Sequence, residues 1–228
     1  MKSDCCVVET SAFPVATVVL LHGYAMQPED LEPFVHSIGV AARFVLPRGL
    51  VPVKPSGRGW WAVDGPARSA ALAAGPRDLA FTKPDGRLDA RTWLADLLRY
   101  ERELAGSRPC VLAGFSQGGM LACDTLLHED VEVDALALLS SSCIDLEAWQ
   151  SRQARLSGLK TLIAHGRHDE DLVFAAGERL RDLFRCAGAE VTWLPFDGGH
   201  QIPLPVWRAV RRLLKSMNAS DSHVLTTP

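Results

Sequence analysis

Apolar residues fall along this chain in two alternating patterns. Short unbroken apolar runs read as buried strands, and segments with apolar residues every three or four positions read as helices. The runs at 15–22, 43–46, 110–115, 134–140, 160–165 and 190–196 are of the first kind, and 5–10 adds a short edge strand. The second kind predicts helices over 28–38, 88–104, 120–128, 172–186 and 205–217. Pro47 stops the 43–46 strand, and Gly188 closes the 172–186 helix. Arg208, Arg211, Arg212 and Lys215 mark the solvated face of the last helix, and the polar residues 218–228 read as a frayed tail. Strands alternating with helices predict an α/β fold, a mostly parallel sheet with helices on both faces.

One stretch escapes this rhythm. Residues 48–90 hold many of the Gly and Pro residues and the pair Trp60-Trp61, with a short Ala-rich helix expected over 67–74. A loop this long inside a compact domain usually serves a function, as a lid or a pocket wall. The 228 residues, 47% apolar and 22% charged, suit one domain over 1–217 better than two. A net charge of −3, without a basic block, argues against a nucleic-acid partner. No apolar run approaches the 18 or more residues of a membrane span, and the acidic, short-cored start does not read as a signal peptide. Cys110, Cys123 and Cys143 sit in apolar surroundings, where buried, reduced thiols are expected. The cytoplasm is the default compartment.

Chemistry enters at Gly114-Phe115-Ser116-Gln117-Gly118, between the 110–115 strand and the following helix. A serine on such a sharp turn has its hydroxyl lifted clear of the sheet, and the helix N-terminus beyond it favours an oxyanion. The same pattern could be a glycine-rich turn with a surface serine. A serine hydroxyl is a poor nucleophile and needs a base, itself oriented by a carboxylate. In an α/β sheet such groups gather where strands end at their carboxyl edge. Two strand ends downstream qualify: Gly166-Arg167-His168-Asp169-Glu170-Asp171 and Asp197-Gly198-Gly199-His200. His200 is the expected base, since Gly198 and Gly199 let its loop fold inward. His36 and His128 lie on predicted helices, His223 lies in the tail, and His165 reads as a brace for its turn. The acid is one of Asp169, Glu170 and Asp171. A rival reading makes His165, His168, Asp169 and Asp171 metal ligands, but no second cluster completes it at a recognisable spacing. Oxyanion donors are expected from the backbone N–H of Gln117 and, from the loop His22-Gly23-Tyr24, that of Tyr24.

Several segments together resemble the phospholipase/carboxylesterase family of α/β-hydrolases, which includes bacterial carboxylesterases and acyl-protein thioesterases. They are Leu21-His22-Gly23-Tyr24 with Glu29-Asp30-Leu31, Gly59-Trp60-Trp61, Gly114-Phe115-Ser116-Gln117-Gly118-Gly119, His165-Gly166-x-x-Asp169 and Gly199-His200. The resemblance implies an α/β-hydrolase fold and selects Asp169 as the acid, with Asp171 the runner-up. It implies a serine esterase acting on short to medium acyl esters through an acyl-enzyme, with no metal or other cofactor. A thioesterase acting on acyl-protein or acyl-CoA is the alternative, and a non-catalytic ligand-binding scaffold is the alternative from another class. Trp60, Trp61, Met26 and Met120 are candidates for an apolar acyl site. Small hydrolases of this kind often expose an apolar helix face, so a homodimer is a further expectation. The chain departs from the family pattern at Ala25, often a second glycine, at Glu170-Asp171-Leu172-Val173-Phe174 after the acid, and across 64–88.

Overall fold

The computed structural model describes residues 5–219, with side chains as far as 217. Most of the expected tail, with His223, lies outside the described residues, whereas 218 and 219 still belong to the last helix. Among the described residues the main sheet has seven strands. They are β1 (Cys5–Glu9), β2 (Thr17–Leu21), β3 (Arg43–Pro47), β6 (Cys110–Phe115), β7 (Ala135–Leu139), β8 (Lys160–Gly166) and β9 (Glu190–Phe196). Their order across the sheet is β1-β3-β2-β6-β7-β8-β9. Only β1 runs antiparallel, pairing with β3 at the edge.

Every residue of β2, β6 and β7 is buried, which is why these strands read as unbroken apolar runs. Their side chains still alternate between two cores. Val19, Leu21, Leu112, Leu136 and Leu138 face one, and Val18, Leu20, Val111, Ala113 and Leu139 face the other. The first core is covered by α3 (Arg87–Ala105), α4 (Gln117–His128) and α6 (Phe174–Cys186), through Leu94, Leu98, Leu121 and Phe184. The second is covered by α1 (Glu32–Ser37) and α7 (Leu204–Ala219), through Val35, Val206, Trp207 and Leu214. None of the described helices is long and apolar enough to cross a membrane. Burial pushes the thiols of Cys110 and Cys143 up, to about 11 and about 12, and Cys123 well above its ordinary value. All three therefore stay protonated and inert.

The chain passes from β2 outward to β3, then returns to the other side of β2 as β6. The winding direction thus reverses between β2 and β6, and a crevice opens at their carboxyl ends. Residues 22–24 leave one of these ends and Ser116 leaves the other.

The structure departs from the sequence expectation in two places. The predicted 28–38 helix is broken into a 3-10 turn, Pro28–Asp30, and α1, because Pro33 has no N–H to offer the carbonyl of Glu29. The irregular 48–90 segment contains an unpredicted small hairpin, β4 (Val51–Val53) with β5 (Gly57–Gly59), beside the expected Ala-rich helix, which forms as α2 (Gly65–Ala74) with its first turn capped by Asp64 accepting from Ala67 N. Strands of three residues are too short to show a period. Between β7 and β8 the undecided 141–159 region forms α5 (Leu146–Arg152) and a further 3-10 turn.

An ion pair ties α3 to the sheet. Glu101 is buried on α3, and Arg43 of β3 donates to both its oxygens from Nε (3.1 Å) and Nη2 (3.3 Å). Removing one partner of a buried pair strands the other charge. Arg43→Ala is therefore expected to destabilise the fold by about 3 kcal/mol. Glu101→Gln should cost clearly less, and urea denaturation of both variants at pH 7 compares them.

Candidate active site

Ser116 joins β6 to α4 with φ 52° and ψ −117°, a backbone conformation that L-residues avoid. It is held there by its N–H donating to Leu139 O (2.9 Å) and by close packing on either side. A Cβ added at Gly114 would stand 2.5 Å from the backbone of Gly118 and Gly119. One added at Gly118 would stand 2.6 Å from the carbonyl oxygens of Leu21 and His22. Both glycines are thus required because backbone meets backbone, with no room for a side chain.

The two downstream loops converge on this turn. His200 Nε2 lies 2.9 Å from Ser116 Oγ, and His200 Nδ1 lies 2.7 Å from Asp169 Oδ2. An ionised Asp169 only accepts, so Nδ1–H donates to it and Nε2 is left to accept the serine proton. The approach of the loops rests on glycine again. A Cβ at Gly166 would stand 2.4 Å from the carbonyl oxygens of Gly198 and Gly199. His168 N donates to Gly198 O (3.0 Å) and Arg167 N to Phe196 O (2.9 Å), which locks one loop to the other. Phe115 packs against the His200 ring, centroids 4.9 Å apart.

Asp169 is 4% exposed, and its second oxygen accepts from the N–H groups of Asp171 (2.9 Å) and Leu172 (2.8 Å). Burial pushes its carboxyl up, but the His200 bond and charge with those two N–H donors outweigh that and hold it below its ordinary value. Asp171 is turned elsewhere, toward the guanidinium groups of Arg68 and Arg77. The four candidate metal ligands do not converge: only His165 and Asp169 are close, 3.5 Å apart. His168 pairs with Asp197 at the surface, and His165 is buried against the carbonyl of Leu172 (3.1 Å), bracing the same loop. Among the described residues no three His, Cys, Asp or Glu side chains gather as a metal site.

Opposite the serine, the loop after β2 is fastened from behind. Gly49 N donates to His22 Nε2 (2.9 Å), so His22 Nδ1 carries the proton and donates to Gly23 O (2.7 Å). Burial holds this imidazole below its ordinary pKa and so keeps it neutral. Trp60 stacks on His22 and donates from Nε1 to its carbonyl (2.8 Å). The β4–β5 hairpin adds two bonds, Ala25 N to Arg58 O (2.8 Å) and Arg58 N to Met26 O (2.9 Å). Ala25 sits at φ 63°, the left-handed conformation a glycine adopts freely, which explains the glycine expected there. The backbone N–H groups of Tyr24 and Gln117 have no acceptor among the described residues.

A cleft of about 50 Å³ opens beside Ser116. Trp61 and Met120 line it, with Tyr24, Val63 and Leu79. Met26 and Trp60 do not: Met26 packs behind Gly23, and Trp60 is the buried brace of the loop. Sequence reading named Gln117 for its backbone N–H but passed over its side chain, and it passed over Arg68 and Arg77 altogether. The Gln117 side chain accepts from Trp60 N (2.9 Å) and donates to Trp61 O (3.3 Å), clamping the 57–61 segment onto the serine turn. Arg68 and Arg77 enter the cleft from the 62–90 segment. The only signal for Gln117 was its place in the motif, and the arginines carried none.

A strained serine turn at a switch point, met by acid and histidine loops from later strands, is the arrangement of the α/β-hydrolase fold. The sequence profile of the phospholipase/carboxylesterase family matches residues 85–218, more than half the chain, and the chain belongs to that family. Its fold is similar to that of esterase PE8 (23% identity, TM-score 0.76, covering 94% of this chain and 98% of that one). It is also similar to acyl-protein thioesterase 2 from Zea mays (18%, 0.75, 94% and 98%) and to a carboxylesterase from Mesorhizobium loti (22%, 0.71, 92% of each). No curated protein sequence matches the chain significantly.

The depressed Asp169 carboxyl has a consequence for stability. Its folded form releases the proton more readily than the unfolded chain does, so its contribution is complete above about pH 4 and is lost as pH falls below that. Asp169→Asn is expected to cost on the order of 1 kcal/mol at pH 7. That difference should shrink as pH falls below about 4 in urea melts of the two proteins. A difference that stays constant over this range would show that the carboxylate charge is not what stabilises the loop.

Proposed function

We propose that this protein is a serine esterase that cleaves carboxylic esters of short to medium acyl chains through an acyl-enzyme. Ser116 is the nucleophile, His200 the general base and then acid, and Asp169 the group that orients the imidazole and stabilises its charged form. Ser116 Oγ attacks the ester carbonyl as its proton passes to His200 Nε2. The tetrahedral oxyanion is received by the N–H groups of Tyr24 and Gln117, fixed before the substrate arrives. Collapse expels the alcohol, which takes the proton from His200. Water, activated by the same nitrogen, then releases the acid and restores the serine.

The single observation that carries this reading is the continuous line Ser116 Oγ, His200 Nε2, His200 Nδ1, Asp169 Oδ2, with contacts of 2.9 and 2.7 Å. The narrow cleft favours short esters over the long acyl chain of a lipidated protein. The thioesterase name of the maize neighbour is compatible with the same chemistry, because thioesters follow the same two steps.

p-Nitrophenyl acetate and butyrate should be hydrolysed, and Ser116→Ala should lower turnover by about 10³-fold or more while the protein stays folded. Octanoate should be a poorer substrate than butyrate by roughly tenfold in kcat/KM, on the order of 1 to 3 kcal/mol of lost fit. A folded wild-type protein inert toward all three esters would leave a non-catalytic scaffold as the better description. A second variant tests the oxyanion loop. A Cβ at Gly57 would stand 2.3 Å from the carbonyl oxygen of Ala25. Gly57→Ala should therefore displace the Tyr24 N–H and lower kcat by about 10²-fold with little change in KM.

A further inference from the structure

The cleft beside Ser116 holds more positive charge than the hydrolytic steps use. Arg68 of α2 and Arg77 both reach into it, and both bond one carboxylate, that of Asp171. Their side chains are 26%, 18% and 14% exposed, so all three are largely removed from water. Two cations on one anion leave one positive charge unmatched in a cleft whose remaining lining, Trp61, Val63, Leu79 and Met120 with Tyr24, Ser116 and Gln117, carries no charge. The neighbouring carboxylates are committed elsewhere. Asp169 faces His200, Glu170 accepts from His200 N, Asp64 caps α2 and Asp78 pairs with Arg179. No further carboxylate lines the cleft among the described residues.

A charge held away from water is costly unless an opposite charge meets it. The two guanidinium groups also retain donors. Each has five N–H bonds to offer. Arg77 Nε is buried and has no acceptor among the described residues. Arg68 lies over the Tyr24 ring, 5.5 Å from its centroid, beside the loop that faces the serine. The backbone already ties this segment to the acid loop, Arg77 N to Asp171 O (2.9 Å) and Val173 N to Arg77 O (3.0 Å). A second arginine from a separate helix is not needed for that tie.

We propose that Arg68 and Arg77 recognise a carboxylate on the substrate, so that the esters cleaved at Ser116 are small ones bearing a second, ionised acid group. The planar fork of a guanidinium matches a carboxylate with two parallel bonds, which a small apolar cleft would otherwise exclude. This inference rests on the esterase reading above and specifies its substrate class.

Two matched pairs test it and separate the two ends of the ester. Monomethyl succinate against methyl butyrate places the carboxylate on the acyl side, and 4-acetoxybenzoate against 4-methylphenyl acetate places it on the alcohol side. The measured quantity is the ratio of kcat/KM within a pair, each corrected for its hydroxide-catalysed rate. Wild-type protein should prefer the anionic member of at least one pair by tenfold or more. Arg68→Gln and Arg77→Gln should each reduce that ratio about tenfold, and Arg68→Lys should reduce it less. The ratio is internal to each variant, so a partial loss of folding does not alter it. Hydrolysis of the neutral esters with no anionic preference in either pair, or a preference unmoved by both Gln variants, would overturn the carboxylate proposal and leave the esterase reading intact. Failure of the folded wild-type protein on all four esters would overturn both.

Discussion

The site depends on one steric constraint, the contact of backbone with backbone where α4 leaves β6 and passes the end of β2. The carbonyl oxygens of Leu21 and His22 occupy the space a side chain at Gly118 would need, and Gly114 meets the same turn from the strand below. Because nothing larger than hydrogen fits, Ser116 is forced into a backbone conformation that costs on the order of 1–3 kcal/mol. Two leucine-rich cores on either side of the sheet absorb that cost. Burying each large apolar side chain contributes about 1.5–3 kcal/mol, and the sheet buries dozens of them.

Around this turn, the same burial has opposite effects on different groups, and hydrogen bonds decide which effect prevails. His22 is buried with one nitrogen donating and the other accepting, both to uncharged backbone, so desolvation prevails and the ring stays neutral. Asp169 is buried too, but two N–H donors and His200 favour its charged form, and its carboxyl stays ionised. A neutral imidazole therefore props the loop after β2, while an anion sits behind His200. Each lies where a change in its charge would undo the arrangement.

The 57–61 segment shows how an irregular stretch can hold a site together without contributing to its chemistry. Its hairpin bonds Ala25 and Met26, Trp60 braces His22, and the Gln117 side chain clamps both tryptophans to the helix that follows the serine. Little of this could be seen in the chain. Three-residue strands carry no periodic signal. A glutamine inside a nucleophile motif looks the same whether its side chain clamps a neighbouring loop or faces water. Trp60 and Trp61 are adjacent in sequence, yet one is a buried brace and the other lines the cleft. What separates them is tertiary: Trp60 is held by its Nε1–H bond to the His22 carbonyl, while Trp61 faces the cleft.

Sequence alone determined the alternation of strand and helix, the Gly-x-Ser-x-Gly turn and the two loops that could supply an acid and a histidine. These are local properties, set by side-chain period and by the few residues that tolerate a sharp turn. Tertiary structure decided that Asp169 rather than Asp171 faces His200, that the winding reverses between β2 and β6, and that Arg68, Arg77 and Asp171 share one cleft. Those outcomes depend on contacts between residues as many as 103 positions apart, such as Arg68 with Asp171. Chain order carries no trace of such proximity. It appears only when the sheet brings the carboxyl ends of its strands to one edge.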